Sequence, residues 1–169
     1  MYGKFIFLGC FFISWSMSAQ SVVNLGSTEI KSILSAHNKE RSLVGSPNLI
    51  WNSVLADHAQ EWAVKLAEDD NGLVHRPSGD DSYGENIAFF SGHTFDAAYP
   101  VELWNEEKSD YRYSPISYSN FSSIGHYTQV IWKNTTQVGC GCAKSERGAH
   151  FFVCNYDPAG NFIGQYPYK

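Results

Sequence analysis

Four ionisable side chains lie within apolar or glycine-rich sequence, where a charged group is unexpected. They are two histidines and two glutamates from separate segments: His75, Glu85, Glu107 and His126. If folding brings them together in a cleft, the imidazole nitrogens of His75 and His126 can bind Zn²⁺, with the carboxylates as further ligands or as hydrogen-bond partners. The same set can do acid–base chemistry, because histidine titrates near neutral pH. A structural role is the alternative, in which histidine–glutamate pairs only hold loops to the core.

The local sequence indicates how the two carboxylates are oriented. Glu106 and Glu107 are neighbours, so on a helix their side chains point about 100° apart. Glu107 follows Trp104 by three residues, which places it beside a core position, whereas Glu106 points toward solvent. Gly84 precedes Glu85 and permits a close approach of the backbone, which would restrict the carboxylate. We therefore expect Glu85 and Glu107 to face inward.

A catalytic nucleophile is not evident beside these groups. Ser122 and Ser123 are close to His126 in sequence, but no GxSxG motif occurs. We assign no catalytic residue and favour a non-enzymatic protein. A metal-dependent or serine-type hydrolase that uses His75, Glu107 and His126 is the competing hypothesis.

The remaining histidines are weaker candidates for a site. His37 is expected to pair on the first helix, and His58 lies between core positions of the second. His93 and His150 fall in or beside turns, so we expect both to be solvated.

Three helices are expected in the first two thirds of the chain. The first begins near Thr28 and ends by Gly45, since apolar residues recur at helical spacing and Pro47 follows. The second begins at Asn52 or Ser53 and ends near Glu68. An irregular stretch over 69–95 follows, and a third helix then extends from about Asp96 to Lys108.

The composition of the last third of the chain predicts a β-sheet. Three short runs, "YTQVIW" from Tyr127, "VGCGCA" and "HFFVCNY", are rich in β-formers and are separated by turn residues. Helices followed by strands predict an α+β domain with helices packed on an antiparallel sheet.

The N-terminal segment predicts export. Residues 1–19 combine Lys4, an apolar run and small residues before Gln20, which is typical of a secretory signal peptide. Residues 20–169 would then form one domain that is secreted, and no later run reaches the roughly 18 apolar residues of a membrane span. The net charge of −5 argues against nucleic acid as a partner. We expect a monomer or a weak dimer.

Three cysteines remain after the signal peptide, and an exported protein permits a disulfide among them. Cys140 and Cys142 are two residues apart, so on a strand they share a face and either could pair with Cys154. The spacing does not choose between them.

Several motifs resemble those of the CAP superfamily, which includes cysteine-rich secretory proteins, antigen 5 proteins and pathogenesis-related class 1 proteins. The two longest are "GHYTQVIWKNT" at 125–135 and "FFVCNYDPAGNF" at 151–162. Shorter ones agree in order: "HNKER", "LIW", "LVH", "YGENI" and "ELWNEEKSDY". The resemblance covers about residues 29–168, the SCP domain of that superfamily.

This resemblance implies a three-layer α-β-α sandwich with a central antiparallel sheet and a cleft lined by His75, Glu85, Glu107 and His126. It also implies a secreted protein, with a defence or host-interaction role, that binds a sterol, another lipid or a hydrophobic small molecule. A divalent metal such as Zn²⁺ in the cleft is a further implication, and the fold would not require it. The cysteine spacing departs from that of the plant members, so their disulfide pattern does not transfer.

Overall fold

The computed structural model describes residues 21–77, 83–92 and 94–169. The predicted signal peptide and His93 lie outside these residues. Within these ranges the chain forms four helices and five strands, with a 3₁₀ turn at Glu107–Ser109 directly after α3. Their bounds are β1 Ser21–Val23, α1 Ser27–Val44, β2 Ile50–Trp51, α2 Ser53–Asp69, β3 Gly84–Phe90, α3 Tyr99–Glu106, α4 Phe121–Val130, β4 Gln137–Lys144 and β5 His150–Asp157.

The strands form one sheet in the order β1-β4-β5-β3, and all neighbours along this path are antiparallel. The short β2 pairs parallel with β4. Strand β3 therefore lies at an edge and has β5 as its only partner in the described sheet.

Two hydrophobic cores lie on opposite faces of this sheet. Helix α2 packs on one face with a small core that includes Ala59, Ala63 and Phe151. Helices α1, α3 and α4 supply the other, larger core, which includes Ile33, Trp104 and Tyr127 and the sheet residues of the opposite face. The three-layer α-β-α sandwich and the α+β class are thus confirmed.

Glycines in β4 allow α2 to approach the sheet closely. A Cβ on Gly139 would lie 2.2 Å from the backbone nitrogen of Ala56, and one on Gly141 would lie 2.3 Å from Gln60 Cα. The Gln60 side chain then donates to Cys142 O (2.8 Å) and accepts from Cys142 N (3.0 Å). The alternate residues of β4 face the other core.

The disulfide joins Cys140 and Cys154, which are directly opposite each other in the β4–β5 ladder. Cys142 is a buried free thiol. Burial raises the pKa of this thiol to about 12, so it is protonated at neutral pH.

The expectation for "YTQVIW" is wrong, because most of this run belongs to α4 and not to a strand. Ile124, Tyr127 and Val130 are buried at spacings of three residues, which is the period of a helix. The β-branched and aromatic composition that suggested a strand reflects burial on the sheet-facing side of the helix.

The C-terminal end of α4 is held by Arg41, a buried residue of α1. Its guanidinium donates to Val130 O (2.9 Å), Trp132 O (2.8 Å) and two further carbonyl oxygens, of Pro47 (2.6 Å) and Thr135 (2.7 Å). A cation at this end of the helix also complements the helix dipole. Burial lowers the pKa of Arg41 to about 10, which leaves it charged at neutral pH.

The stretch over 69–95 was expected to be irregular, which is also wrong, because β3 occupies Gly84–Phe90. The first two helices are found within one or two residues of their predicted ends, and the Asn52 side chain caps α2 by accepting from Val54 N and Leu55 N. Helix α3 begins at Tyr99 rather than near Asp96. Within the described ranges, no helix is long and apolar enough to cross a bilayer.

His150 is not solvated as expected. Its ring stacks on Phe90 with centroids 5.1 Å apart, and the residue is buried. Burial, and secondarily Lys144, lower its pKa.

Candidate functional site

Glu107 and His126 form the first of two histidine–glutamate pairs. His126 lies on α4, and its Nδ1 is 2.6 Å from Glu107 Oε1. The other carboxylate oxygen accepts from the backbone nitrogens of His126 (2.9 Å) and Tyr127 (3.0 Å). The carboxylate therefore fixes both the position of α4 and the orientation of the imidazole.

Trp104 supports the same imidazole from the side. Its ring stacks on His126 with centroids 6.2 Å apart and planes inclined by 11°. The tryptophan is buried, and its Nε1 donates to Ile87 O of β3 at 3.3 Å. Helix α3, strand β3 and helix α4 are thus joined around His126.

His75 and Glu85 form the second pair. His75 Nδ1 is 2.7 Å from Glu85 Oε1, which also accepts from Arg76 N at 3.0 Å. The hydrogen bond to Glu85 is the main cause that raises the pKa of His75. His75 itself is 66% exposed, whereas the Glu85 side chain is only 10% exposed. The loop that carries His75 is anchored by Arg76, which donates to His58 O at 2.9 Å.

Both pairs meet at one cavity of about 200 Å³. Its lining includes three of the four predicted residues, together with five others: His75, Glu85, His126, Asn86, Phe121, Ser122, Gly125 and Asn161. The fourth predicted residue, Glu107, is not in the lining and contacts His126 directly. Glu106 is exposed, as the helical argument predicted.

The cavity offers a metal ion two imidazole ligands rather than a complete set of protein ligands. In the part of the chain that the structure describes, no three His, Cys, Asp or Glu side chains are grouped so that they could hold a metal together. Each imidazole is bonded to a carboxylate through Nδ1, which leaves Nε2 as the nitrogen available to a ligand. This is the arrangement of metal-binding histidines, whose second nitrogen is usually bonded to a carboxylate or carbonyl.

Gln129, the buried amide in "GHYTQVIW", joins the two long motifs. Its Oε1 accepts from Gly160 N (2.9 Å), and its Nε2 donates to Thr135 Oγ1 (3.2 Å). A Cβ on Gly84 would lie 2.2 Å from Gln129 Oε1, so only glycine fits beside it. The glycine before Glu85 is therefore explained by the close approach of the Gln129 side chain to the backbone.

Comparison with known proteins decides the family. The sequence model of the cysteine-rich secretory protein family (CAP) matches residues 34–156. The chain belongs to the CAP family.

Its relatives within the CAP family come from plants and insects. Pathogenesis-related protein 1B of Nicotiana tabacum is 44% identical over 135 residues, which cover 80% of this chain and 78% of that protein. Venom allergen 5 of Polistes fuscatus is 37% identical over 165 residues, which cover 83% and 78% of the two chains. The resemblance inferred from the motifs is thus confirmed.

Solved structures of CAP proteins share the fold. A crystal structure of NaASP2 with Zn²⁺ has a TM-score of 0.70 at 23% identity, and the match covers 85% of this chain and 86% of that one. BmVAL-1 has a TM-score of 0.73 at 22% identity, with 86% and 84% covered. At this identity the likeness shows the fold alone.

Proposed function

We propose that this CAP protein is a secreted, non-enzymatic binding protein whose cavity takes a divalent transition-metal ion through His75 and His126. The observation that carries the proposal is that both imidazoles line one cavity while each Nδ1 is bonded to a glutamate. The glutamates favour the tautomer with hydrogen on Nδ1, so each Nε2 presents a lone pair. The crystal structure of NaASP2 with Zn²⁺ supports the idea that this fold accommodates the ion.

Calorimetric titration with Zn²⁺ tests this proposal. We expect saturable binding at pH 7.5 that is abolished in His75→Gln and in His126→Gln. Glu107→Gln should weaken binding about 10- to 100-fold, as is typical when a partner of a metal-binding histidine is lost. Glu106→Gln, one residue away and exposed, is the matched control and should bind like the wild type.

Two results would contradict the metal proposal. One is a wild-type protein that does not bind Zn²⁺ at millimolar concentration. The other is binding that survives both histidine substitutions while circular dichroism shows that the variants are folded.

A second candidate function, binding of a lipid or sterol, rests on an uncharged surface beside the cavity. We define the aromatic rim as the exposed apolar side chains of two loops and of the first residue of α4: Tyr113, Tyr118, Phe121, Phe162, Ile163 and Tyr166. The loops are joined by hydrogen bonds from Ile116 N to Gln165 O (2.9 Å) and from Gly164 N to Ile116 O (2.8 Å). No Asp, Glu, Lys or Arg occurs over 113–132 or 158–168. Exposed apolar patches of this kind commonly bind apolar ligands or partners.

A fluorescent sterol is a suitable probe for the aromatic rim. Saturable uptake should fall in Tyr118→Ser and Phe162→Ser. It should not change in Val54→Ser, an equally exposed apolar residue on α2. If the wild type takes up neither sterol nor fatty acid, this function is excluded.

The hydrolase hypothesis has one observation in its favour and one against it. Ser122 lies one turn before His126 on α4, and both line the cavity. Among the described residues, however, no hydrogen bond joins Ser122 to His126, and a serine nucleophile requires such a base. Turnover of ester or peptide substrates that disappears in His126→Gln would favour the enzyme.

Export remains a proposal. We expect expression of the full chain to give a secreted protein that begins at Gln20, which mass spectrometry of the secreted product would show. A product that retains residues 1–19 would contradict the assignment of the signal peptide.

A further inference from the structure

Two asparagines match the acceptor sequence for N-linked glycosylation, in which asparagine is followed two residues later by serine or threonine. They are Asn120, in "NFS", and Asn134, in "NTT". The pattern by itself does not choose between them. The folded structure distinguishes the two, because a glycan is bulky and hydrated and requires an asparagine on the surface with space around its amide nitrogen.

Asn134 lies in a tight turn between α4 and β4. Thr135 N donates to Trp132 O at 3.1 Å, which closes a β-turn with Asn134 at its third position. Asn134 is exposed, and in the part of the chain that the structure describes its side chain makes no hydrogen bond. Its amide nitrogen is therefore accessible.

The turn is held in place by the residues on either side of this asparagine. Lys133 N, directly before Asn134, donates to Pro167 O at 2.7 Å. Thr135, directly after it, is buried, and its Oγ1 donates to Pro158 O at 2.8 Å. A glycan on Asn134 would thus extend from a fixed turn into solvent without breaking a hydrogen bond of the described structure.

The hydroxyl that completes this acceptor sequence is also accessible. Thr136 is exposed, and its Oγ1 donates one long hydrogen bond, to Asp157 O at 3.3 Å. The transferase recognises an asparagine amide together with a hydroxyl two residues later. Both groups lie here on the surface of one short segment.

The surroundings of Asn120 are different. The residue is half-buried directly before α4, and the two sides of its amide are bonded to the preceding loop. Oδ1 accepts from Ser117 N at 2.9 Å, and Nδ2 donates to Pro115 O at 3.2 Å. The serine of this acceptor sequence, Ser122, belongs to the cavity lining. A glycan on Asn120 Nδ2 would crowd the Pro115 carbonyl and disturb the loop.

We propose that Asn134 is an N-glycosylation site of the exported protein and that Asn120 is not. In the reaction, Asn134 Nδ2 attacks the anomeric carbon of an oligosaccharide that is carried on a lipid diphosphate. A bond forms between Nδ2 and this carbon, and the bond from the carbon to the diphosphate oxygen breaks. The lipid diphosphate leaves with the electron pair, and one proton passes from Nδ2 to the transferase. This inference rests on the proposed export, since the transferase and its lipid-linked donor belong to the secretory pathway.

Folding explains why only one of the two sites is used in the secreted protein. Transfer accompanies export, so both asparagines can meet the transferase before the chain is fully folded. A chain modified at Asn120 loses contacts of the loop before α4, and poorly folded chains are retained and degraded. A chain modified at Asn134 keeps all its contacts. The secreted protein should therefore carry a glycan at Asn134 alone.

Expression of the full chain in a eukaryotic secretory host tests this proposal. Treatment of the secreted protein with an N-glycanase in isotopically labelled water removes the glycan and marks the modified asparagine as a labelled aspartate, which peptide mass spectrometry locates. For the wild type we expect one labelled site, Asn134, and one shift in gel mobility that the enzyme removes. Asn134→Gln should lose this shift completely, whereas Asn120→Gln should keep it.

Substitutions at Thr136 supply a matched pair of variants that leave Asn134 unchanged. Thr136→Ala removes the acceptor sequence and should abolish the glycan, whereas Thr136→Ser preserves the sequence and should retain it. Since Thr136 is exposed and donates only one long hydrogen bond, both variants are expected to fold, which circular dichroism checks. This pair is informative even if Asn134→Gln does not fold.

Failure of this inference can be distinguished from failure of export. A secreted wild type without a glycan at Asn134 refutes the inference and leaves export standing. A glycan on Asn120 of the secreted, folded protein also refutes it, because the structure would then accommodate both sites. A full chain that stays in the cell and retains residues 1–19 refutes export and this inference together.

Discussion

Acidification from pH 6.5 to about 4 should lower the free energy of unfolding by about 3 kcal/mol, and His37 is the cause. The folded ring has its pKa lowered from 6.5 to about 4 because it is fully buried, with Arg41 as a minor contribution. In this interval the unfolded chain binds a proton that the folded protein excludes. The contribution of His37 is therefore complete above pH 6.5 and declines as the pH falls to about 4. A difference of about 2.5 pK units, at 1.36 kcal/mol each, gives the stated magnitude.

Two other histidines have shifted pKa values, and their contributions to stability must be separated from that of His37. His75 has a raised pKa, so its contribution is fully present below pH 6.5 and is lost as the pH rises through the folded value. The pH range in which His75 changes the stability thus lies above the range in which His37 does. His150 has a lowered pKa and acts in the same direction as His37, so the comparison is best made in a His150→Phe background.

Urea denaturation at several pH values between 7.5 and 4 measures the effect. His37→Gln can still accept from the Tyr156 hydroxyl but cannot take up a proton. We expect this variant to be less stable than its parent at pH 7.5 and to lose about 3 kcal/mol less between pH 6.5 and 4. If parent and variant show the same dependence on pH, His37 is not buried in its neutral form, and the Tyr156 hydroxyl does not donate to it.

Further substitutions test the packing around the sheet. Gly139→Ala should lower stability by about 3 kcal/mol or more in urea denaturation, because its Cβ would meet the α2 backbone, whereas Gly26→Ala meets only a flexible side chain and should cost less than about 1 kcal/mol. Cys154→Ala should cost about 3 kcal/mol through loss of the disulfide, while Cys142 should stay unreactive toward a thiol reagent until the protein unfolds. Arg41→Met leaves four carbonyls, three of them buried, without their donor and should cost at least about 3 kcal/mol, and Arg41→Lys should cost less.

The elements that the sequence predicted correctly are those with local signals. Helix α2 has an N-cap at Asn52 and an apolar stripe, and both act within a few residues. Strands β4 and β5 are bounded by turns and carry β-forming residues. Such signals can be read without knowledge of the rest of the fold.

Helix α4 was mispredicted because its determinants are remote. The run "YTQVIW" has the composition of a strand, but its C-terminal carbonyls are bound by Arg41, about 90 residues earlier. The middle of the helix is held by Glu107 through the backbone nitrogens of His126 and Tyr127. Tertiary contacts of this kind override local propensity.

The sequence identified the site residues by their type, but it did not predict which histidine bonds to which glutamate. His75 and Glu85 are ten residues apart, and His126 and Glu107 belong to different elements, so no spacing rule joins them. Asn86 was missed although it follows Glu85 directly. It lines the cavity because β3 passes beside α4 at this point, and no pattern along the chain records that contact.

The pH dependence of stability and the hydrogen bonding of Asn86, a residue of the cavity lining, both depend on the neutral state of His37. A proton on Nε2 would turn this nitrogen into a donor toward the Tyr156 oxygen, so the hydroxyl hydrogen could no longer point at the ring. The hydroxyl hydrogen would then have to turn toward Asn86 Nδ2, and the hydrogen bond that this amide donates to Tyr156 at 3.3 Å would be lost. Protonation of His37 is therefore expected to loosen an amide that lines the cavity as well as to lower stability, whereas Gly139→Ala, whose Cβ would meet α2 on the other face of the sheet, is expected to lower stability alone.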